Sequence, residues 1–351
     1  MKLTFITDTL SSGGSERVMS VLANELSKNY EVEIICLRTH TAYYPLLPEV
    51  KVTYAIDYCG DSLGKKFLWL RRYVPKDSLV IAFMVPVYVF TLASLMFTKH
   101  RVIVSERNDP DAVSRFRRIA RKLLIWRAQA VVVQTQSIAN RMPSSVRNKQ
   151  TIIYNPISEK YTSGSALESE KDNLIVSVGR LSPQKNQKMM IDGFKELIKV
   201  KPEYRLEIYG EGEIHEEIES YIKDSGLADK MLLKGRCNEL QNVLNRAKLF
   251  VLTSDYEGMS NAMMEALYVG LPVVTTAVSG TEELIVNGEN GVIVPIRDTK
   301  AYTDAIIDLV TDESKLQAMA KKAVEIKDKI EINSIVSRWT ALIEDVMKYN
   351  E

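Results

Sequence analysis

Residues 249–276 read LFVLTSDYEGMSNAMMEALYVGLPVVTT, and this stretch decides the fold of the second half of the chain. An apolar run, a polar loop, a short helical pattern and a second apolar run follow one another, as in a strand, a loop, a helix and a buried parallel strand. Ser260 is placed to cap the helix, so the backbone N–H groups after it point into the loop. With the helix dipole, these groups predict an anion site of phosphate size.

Two carboxylates flank this predicted anion site. Glu257 lies in the loop, and Glu265 follows on the helix after seven intervening residues. A helical carboxylate at that position can accept two hydrogen bonds from a vicinal diol such as ribose. The arrangement suits a nucleotide sugar, although this segment alone also fits an ordinary strand-to-helix turn with two surface glutamates.

A second loop carries two cations. The apolar run at 173–179, NLIVSVG, leads into RLSPQKN at 180–186, which places Arg180 and Lys185 in one loop after a strand. Arginine offers a planar fork to phosphate oxygens and lysine a compact charge, which is the chemistry that a diphosphate leaving group needs. A solvated basic loop is the alternative for this segment taken alone.

Together these strings resemble the signature of the family 4 retaining glycosyltransferases: Glu257 and Glu265 with the Gly270 and Pro272 that follow, and the 179–186 string GRLSPQKN. The resemblance implies an α/β fold of two doubly wound, Rossmann-like domains facing across a cleft, known as GT-B. It also implies that Arg180, Lys185 and Glu257 are catalytic, and that the donor has a uridine nucleotide. The implied donor-binding set is Gly13, Gly14, Gly179, Gly235, Arg236, Gly258, Met259, Ser260, Asn261 and Glu265.

The glycines outside these strings are less specific. Gly210 and Gly212 lack the third glycine of a dinucleotide fingerprint, so we interpret them as a turn between a strand and a helix. Gly13 and Gly14 allow close approach of backbone to a ligand, but a turn needed only for packing fits equally well. Arg107 stands where the resembled family often has a histidine near the donor sugar, so an acceptor phosphate is an alternative ligand there.

Length and pattern predict two domains. The chain has 351 residues, 46% of them hydrophobic, with alternating strand and helix patterns in both halves. We expect an N-terminal acceptor-binding domain at 1–160, a polar linker at 161–172 and a nucleotide-sugar-binding domain at 173–332. By resemblance alone, the helix pattern at 333–351 returns to the first domain.

Localisation is predicted from absent signals. The start of the chain shows no secretory signal pattern, and the three cysteines have neither metal-binding nor redox spacing, so a reducing cytoplasm is expected. Residues 79–97 are almost free of charge and could be read as a membrane span. Pro86 divides them into a short strand and a helix pattern, which favours a buried unit of a parallel sheet.

The two halves differ in charge. Residues 1–165 hold 23 Lys and Arg against 13 Asp and Glu, whereas residues 166–351 hold 23 against 32. The cations cluster at 65–76, interleaved with Phe67, Trp69 and Tyr73, and at 115–127. No nucleic-acid motif accompanies them, so an anionic membrane surface or a polyprenyl diphosphate is the expected partner, and nucleic acid is not.

The basic stretch at 115–127 has a helical pattern. Phe116, Ile119, Ala120 and Leu123 share one face, with most cations opposite. One alternative is an apolar face directed to the core beneath a solvated basic face. The expected acceptor or membrane residues are Arg107, Arg117, Arg118, Arg121 and Lys122.

A possible metal motif lies before this helix. Asp109 and Asp111 form a D-x-D string, but Asp followed by Pro110 is a common helix start, here near Val113. Since Arg180 and Lys185 can replace a cation, we expect no metal and no cofactor.

The resulting expectation is a cytoplasmic, membrane-peripheral retaining glycosyltransferase. It would move a UDP-linked hexose or N-acetylhexosamine to a hydroxyl of a lipid-linked or glycan acceptor of the cell envelope. A nucleotide-sugar 2-epimerase of the same fold and a non-catalytic sugar-nucleotide-binding subunit remain the alternatives.

Overall fold

A computed structural model of the protein describes residues 1–11, 13–40, 42–110, 112–157, 161 and 170–348. The chain divides into two compact units, one of residues 1–156 with 331–351 and the other of residues 157–330. The change between units thus follows Pro156, ahead of the expected 161–172 linker, of which residues 162–169 lie outside the described part of the chain.

The first unit is built on a seven-stranded parallel sheet. Its strands are β1 Lys2–Thr7, β2 Glu31–Cys36, β3 Lys51–Tyr54, β4 Leu79–Phe83, β5 Arg101–Ser105, β6 Ala130–Val133 and β7 Gln150–Ile152. The helices between them are α1 Gly14–Ser27, α2 Ala55–Cys59, α3 Leu63–Tyr73, α4 Val85–Ser94, α5 Arg115–Leu124 and α6 Gln136–Arg141, with short 3-10 helices at Ile125–Arg127 and Ser144–Lys149.

The central strands of this sheet are apolar because both of their faces are covered. Phe5 of β1 lies beside Ile34 of β2 and Ile81 of β4, and all three side chains are buried. Residues 79–97 form strand β4 and helix α4, as the buried interpretation predicted. Within the described residues, no helix combines the length and the apolar character needed to cross a membrane.

The second unit has a six-stranded parallel sheet. Its strands are β8 Leu174–Val178, β9 Arg205–Tyr209, β10 Met231–Gly235, β11 Leu249–Leu252, β12 Val273–Thr276 and β13 Gly291–Val294. Its helices are α7 Gln187–Val200, α8 His215–Asp224, α9 Leu240–Arg246, α10 Asn261–Tyr268, α11 Thr281–Leu284, α12 Thr299–Thr311, α13 Glu313–Ala323 and α14 Lys327–Ile330, with short 3-10 helices at Pro183–Lys185 and Val324–Ile326.

The last helix, α15 Ile332–Lys348, belongs to the first unit. Its fully buried Trp339 stacks on Phe83 at the end of β4, with ring centroids 6.2 Å apart. Arg101 at the start of β5 donates a hydrogen bond to the carbonyl of Met347 over 2.5 Å. These contacts anchor helix α15 on the first sheet.

The strand order is β3-β2-β1-β4-β5-β6-β7 in the first sheet and β10-β9-β8-β11-β12-β13 in the second. Each sheet therefore winds outward in both directions, from β1 and β4 in the first and from β8 and β11 in the second. The loops that follow such a pair of strands diverge and leave a crevice, which is where doubly wound sheets bind ligands. The predicted fold class, two doubly wound α/β domains, is confirmed.

Candidate active site

The two key loops of the second unit meet at the carboxyl ends of β8 and β11. The backbone N–H of Asp255 donates to the carbonyl of Gln184 over 2.8 Å, and the Gln184 side chain donates to the carbonyl of Tyr256 over 2.7 Å. The Asn186 amide reaches Asp255 Oδ1 over 3.2 Å. The loop that carries Lys185 is thus bonded directly to the loop that carries Glu257.

A buried threonine fixes the end of the first loop. Thr253 Oγ1 lies 3.0 Å from the carbonyl oxygens of both Lys185 and Asn186. Asn186 has a left-handed backbone with φ of 45° and precedes the first residue of α7. Asparagine tolerates this conformation better than most residues, so the turn from the loop into α7 is well defined.

Lys185 and Glu257 form an ion pair in which the Lys185 ammonium contacts Glu257 Oε1. The same oxygen accepts a hydrogen bond of 2.7 Å from the buried hydroxyl of Ser254. Both charged side chains are largely buried, so screening by solvent is weak. The pair holds a cation and a carboxylate in fixed positions at the switch between β8 and β11.

Arg180, in contrast, is exposed and has no ion-pair partner in the described part of the chain. Its main chain is held, because the buried Gln187 donates to the Arg180 carbonyl over 2.9 Å. A Cβ on Gly179 would lie 3.2 Å from Lys185 Cε, so the glycine leaves room for the lysine stem. Of the two predicted phosphate cations, Lys185 is therefore held in place by an ion pair, whereas Arg180 on the same loop is exposed to solvent.

Helix α10 begins beside these residues. Ser260 is its N-cap, and the Ser260 hydroxyl accepts a hydrogen bond from the backbone N–H of Met263, which confirms the predicted cap. Gly258 and Met259, which precede the cap, are buried. The positive end of the helix dipole thus adjoins the loop with Glu257, an arrangement that favours an anion.

Glu265 is almost completely buried on α10 and accepts a hydrogen bond of 3.0 Å from the hydroxyl of Tyr161. Tyr161 stands at the start of the expected 161–172 linker, and its side chain is buried within the second unit. The bond orients the Glu265 carboxylate, which was predicted to contact ribose.

The glycine turn after β9 packs against the main chain of the loop that carries Arg180 and Lys185. A Cβ on Gly210 would lie 2.0 Å from the carbonyl oxygen of Gly179, and one on Gly212 would lie 2.0 Å from that of Leu181. Only glycine allows this approach of the two main chains. The interpretation of Gly210 and Gly212 as a turn between strand and helix agrees with this packing.

Gly235 and Arg236, at the end of β10, lie beside that turn. The Gly235 carbonyl accepts a hydrogen bond of 2.8 Å from the N–H of Gly210. Arg236 forms an exposed ion pair of 2.7 Å with Glu211. A nucleotide contact by these two residues stays a prediction, as it does for Asn261.

In the first unit, Gly13 and Gly14 lie at the start of α1, after β1. The Glu16 carboxylate folds back over Gly13 and accepts hydrogen bonds from Thr9 and Ser15 of 3.1 and 2.6 Å. The helix start therefore already has a carboxylate next to it. A contact of Gly13 or Gly14 with a donor stays a prediction.

Arg107 is a buried cation of the first unit. Its guanidinium lies 4.5 Å from the ring centroid of Phe83 and 5.8 Å from that of Trp339, and it donates to Asn155 Oδ1 over 2.5 Å. Burial lowers the pKa of the Arg107 guanidinium to about 9. No carboxylate among the described residues forms an ion pair with Arg107, and the two aromatic faces partly compensate for this.

The predicted helix start at Asp109 was wrong. Helix α5 begins at Arg115, and its N-cap is Ser114, whose hydroxyl accepts from the N–H of Arg117. Asp109 instead forms an ion pair of 2.7 Å with Arg141. Ser114 provides the same capping chemistry directly before the helix, so Asp109 is not needed as a cap and pairs with Arg141 at the end of α6. Asp111, the other half of the D-x-D string, lies outside the described residues.

The cations of the two basic stretches of the first unit are not all on the surface. Lys66 and Arg121 are buried, and Arg121 faces the buried Glu106 at 3.6 Å and donates to the Pro110 carbonyl. Arg71 and Arg127 donate to backbone carbonyls of the turn after α4. Of the expected acceptor or membrane residues, Arg117, Arg118 and Lys122 are exposed, whereas Arg107 and Arg121 are not.

The apolar side of α5 also differs from one of the two interpretations. Phe116, Ile119 and Leu123 are all exposed, so a face directed to the core is excluded. The aromatic residues interleaved with the cations of α3, Phe67, Trp69 and Tyr73, are partly buried, and Trp69 and Tyr73 stack on each other with centroids 4.4 Å apart.

Sequence reasoning missed several residues that position the site, namely Tyr161, Thr253, Ser254 and Gln187. Ser254 stands three residues before Glu257, a spacing that allows a local hydrogen bond and could have indicated it. Tyr161 lies 104 residues from Glu265, and no local pattern connects the two.

Comparison with known proteins agrees with this geometry. Residues 161–325 match the family model described as glycosyl transferases group 1. The chain is 28% identical to the GalNAc-alpha-(1->4)-GalNAc-alpha-(1->3)-diNAcBac-PP-undecaprenol alpha-1,4-N-acetyl-D-galactosaminyltransferase of Campylobacter jejuni, over 99% of each chain. It is also 28% identical to the N-acetylgalactosamine-N,N'-diacetylbacillosaminyl-diphospho-undecaprenol 4-alpha-N-acetylgalactosaminyltransferase of the same organism, over 92% of this chain and 93% of the relative.

Solved structures extend the comparison of folds. HepE of Anabaena in complex with UDP and glucose superposes with a TM-score of 0.82, covering 98% of this chain and 100% of HepE at 17% identity. The sucrose-phosphate synthase of Thermosynechococcus elongatus gives a TM-score of 0.82 at 16% identity, covering 98% of each chain. At these identities the similarity concerns the fold alone.

Proposed function

We propose that the chain, whose residues 161–325 match the model of the group 1 glycosyltransferases, is a glycosyltransferase of the family 4 type with the GT-B fold, and that it transfers a sugar from a UDP-sugar to a lipid-linked saccharide with retention of the anomeric configuration. The sugar proposed is a hexose or an N-acetylhexosamine, and the acceptor group is a hydroxyl. The product would be a precursor of a cell-envelope polysaccharide.

The observation that carries this proposal is the cluster after β8 and β11. Lys185, Arg180 and the N-terminus of α10 supply positive charge at one edge of the sheet. Breaking the bond between sugar and diphosphate places negative charge on the departing phosphate oxygens. Fixed positive groups at that point stabilise the transition state more than the ground state, which is what accelerates the reaction.

The two carboxylates take different parts in the proposed mechanism. Glu265, fixed by Tyr161, would accept hydrogen bonds from the ribose hydroxyls. Glu257, held by Lys185 and Ser254, would position the donor sugar. The acceptor proton passes to a leaving-group oxygen on the same face of the sugar, so no protein base is required. When the diphosphate arrives, it competes with Glu257 for the Lys185 ammonium.

We further propose that no metal is needed, because Arg180 and Lys185 neutralise the diphosphate. The names of the two Campylobacter relatives specify undecaprenol-linked saccharides, which supports a lipid-linked acceptor here. Access to such an acceptor requires attachment to an anionic membrane surface, and we assign that attachment to the first unit, with the enzyme on the cytoplasmic face.

A product assay tests the proposal. The purified protein is incubated with UDP-, GDP- and ADP-sugars, with and without an undecaprenyl-diphosphate-linked saccharide, and the products are analysed by mass spectrometry and NMR. We expect one class of UDP-sugar to be consumed only with acceptor, an α-linked product, and full activity in excess EDTA. A β-linked product would exclude retention. Conversion of the UDP-sugar to its C2 epimer without acceptor would establish the epimerase instead.

A further inference from the structure

Arg297 lies in the turn between strand β13 and helix α12, and its backbone has a positive φ of 63°. This left-handed conformation suits glycine, which has no Cβ, and strains an arginine. Glycine at this position would form the same turn without strain. The turn alone therefore does not account for an arginine here, and the reason lies in the contacts of its side chain.

The guanidinium of Arg297 binds Asp255 in the loop after β11. Its Nε and Nη2 both donate to Asp255 Oδ2, over 3.0 and 2.6 Å. The Arg297 side chain is 74% exposed, whereas that of Asp255 is 16% exposed. An ion pair with so exposed a partner contributes little to the free energy of unfolding, so it does not offset the strain of the left-handed arginine. The bond fixes the position of Asp255 rather than stabilising the fold as a whole.

Asp255 in turn holds the chain on both sides of Lys185. Its backbone N–H donates to the carbonyl of Gln184, and its Oδ1 accepts from the side-chain amide of Asn186. Gln184 and Asn186 are the two neighbours of Lys185 in the sequence. Asp255 also lies two residues before Glu257, the partner of Lys185. A movement of Asp255 would therefore displace the lysine relative to the glutamate.

Backbone strain is concentrated around Asp255. The described residues include four residues other than glycine with a positive φ, namely Met84, Phe97, Asn186 and Arg297. The side chains of two of them, Asn186 and Arg297, bond to the two oxygens of the Asp255 carboxylate. Strained residues persist where the surrounding structure requires them, most often at functional sites. Two such residues on one carboxylate indicate that the position of this carboxylate matters for function.

We propose that Arg297 is a positioning residue for the candidate active site. Acting only through Asp255, it holds the loop with Lys185 against the loop with Glu257 and so sets the geometry of this ion pair before a nucleotide binds. The inference rests on the proposed function, because it gives Arg297 a part in sugar transfer. A displacement of about 1 Å at reacting groups can cost about a hundredfold in rate, so a bond that adds little stability can still control turnover.

Arg297→Gly tests the inference, because it keeps the left-handed turn and removes the guanidinium. Its melting temperature should stay close to that of the wild type or exceed it, since strain is relieved, whereas kcat with the proposed UDP-sugar falls at least about tenfold. Millimolar guanidinium chloride should restore part of kcat, and sodium chloride at the same ionic strength should not. Arg297→Asn should behave in the same way, which separates loss of the guanidinium from the added flexibility of glycine.

A double-mutant cycle tests whether Arg297 acts through Asp255. Asp255→Asn should lower kcat at least as far as Arg297→Gly does, and the double variant should be no slower than Asp255→Asn alone. Lys300→Ala is the matched control, because it removes an exposed cation of α12 that pairs with Asp304. Its kcat should stay within about twofold of the wild-type value.

Hydrogen exchange provides a measurement that needs no sugar acceptor. The amide of Asp255, which is bonded to the Gln184 carbonyl, should exchange faster in Arg297→Gly than in the wild type. Amides of the first sheet should exchange at unchanged rates. If the wild type transfers no sugar but exchange at Asp255 rises in this way, the proposed function fails and the positioning of the loops by Arg297 stands.

Three outcomes would overturn the inference. A wild-type kcat in Arg297→Gly would remove Arg297 from the mechanism. A lowered melting temperature together with a kcat that guanidinium does not restore would make Arg297 a contributor to stability only. Effects of Arg297→Gly and Asp255→Asn that multiply in the double variant would show that Arg297 acts independently of Asp255.

Discussion

At the residue scale, the two candidate phosphate cations differ in their surroundings. Lys185 is largely buried and paired with Glu257, whereas Arg180 is exposed on the same loop. The pairing keeps the lysine side chain in place before a ligand arrives, which reduces the entropy that binding must remove. Arg180 has to be ordered by the diphosphate itself.

We therefore expect Lys185→Ala and Arg180→Ala each to lower kcat by about a hundredfold or more, the scale of a lost oxyanion donor. Lys188→Ala, which removes an exposed lysine paired with Glu217, is the control and should leave kcat within about twofold. Steady-state kinetics with the proposed UDP-sugar measures the effect, and circular dichroism verifies the fold. Near wild-type rates for both loop variants would remove these cations from the mechanism.

The two glutamates should separate nucleotide binding from sugar transfer. Glu265→Gln keeps the side-chain volume but removes the charge, so UDP binding should weaken about tenfold or more, the size of a lost charge-assisted hydrogen bond. Glu257→Gln should bind UDP at least as tightly as the wild type, because Glu257 no longer competes with the diphosphate for Lys185, and should transfer sugar more slowly. Isothermal titration with UDP alone distinguishes the variants. Equal UDP affinity of Glu265→Gln and the wild type would show that the ribose contact is assigned wrongly.

At the scale of elements, the turn between β9 and α8 packs against the loop that carries Arg180 and Lys185 and supports it. The Gly212 main chain approaches the Leu181 carbonyl so closely that any side chain would displace one of the two segments. The loop with Arg180 and Lys185 thus depends on a strand that carries none of the predicted catalytic residues.

Gly212→Ala should shift this loop and weaken UDP-sugar binding by about tenfold or more, with a lower melting temperature. Gly64→Ala, in an open position on α3, is the matched control and should stabilise the protein by about 0.5 to 1 kcal/mol, because alanine favours the helix. Calorimetry and titration are run on both variants. An unchanged donor affinity in Gly212→Ala would mean that the turn does not support the loop.

At the scale of the whole molecule, a buried carboxylate links the stability of the protein to pH. Glu33 on β2 forms ion pairs with Lys2 and Lys51 of 2.9 and 3.0 Å and accepts hydrogen bonds of 2.7 Å from Thr53 and Tyr73. Burial alone would raise the pKa of Glu33, but these partners outweigh it and lower the pKa to about 2. The folded state therefore binds this proton less readily than the unfolded chain does.

The contribution of Glu33 to stability is complete above its unfolded pKa of 4.5 and is lost as the pH falls toward 2. It amounts to about 3.5 kcal/mol at most, since one pKa unit corresponds to about 1.4 kcal/mol. Glu33→Gln should therefore be less stable than the wild type at pH 7, and the difference should shrink below pH 4.5. Urea unfolding over this pH range measures it. A difference independent of pH would show that packing, not the charge, sets the effect.

Local sequence patterns determined the elements and most of the candidate site. The apolar runs of β4, β8 and β11 predict buried parallel strands without any knowledge of the rest of the fold, because such strands need apolar side chains on both faces. The cap at Ser260 and the two cations on one loop are equally local features. For these the sequence was sufficient.

The tertiary structure decided everything that depends on a distant partner. The periodicity of α5 predicts an apolar side but does not say which side packs against the protein. In the structure the buried Arg121 faces the buried Glu106, so the apolar side with Phe116 and Leu123 is exposed. The pairing of Lys185 with Glu257 and of Tyr161 with Glu265 likewise joins residues 72 and 104 positions apart. A local pattern records how often a side chain faces one direction, whereas the neighbour found in that direction is determined only when the sheets and helices pack.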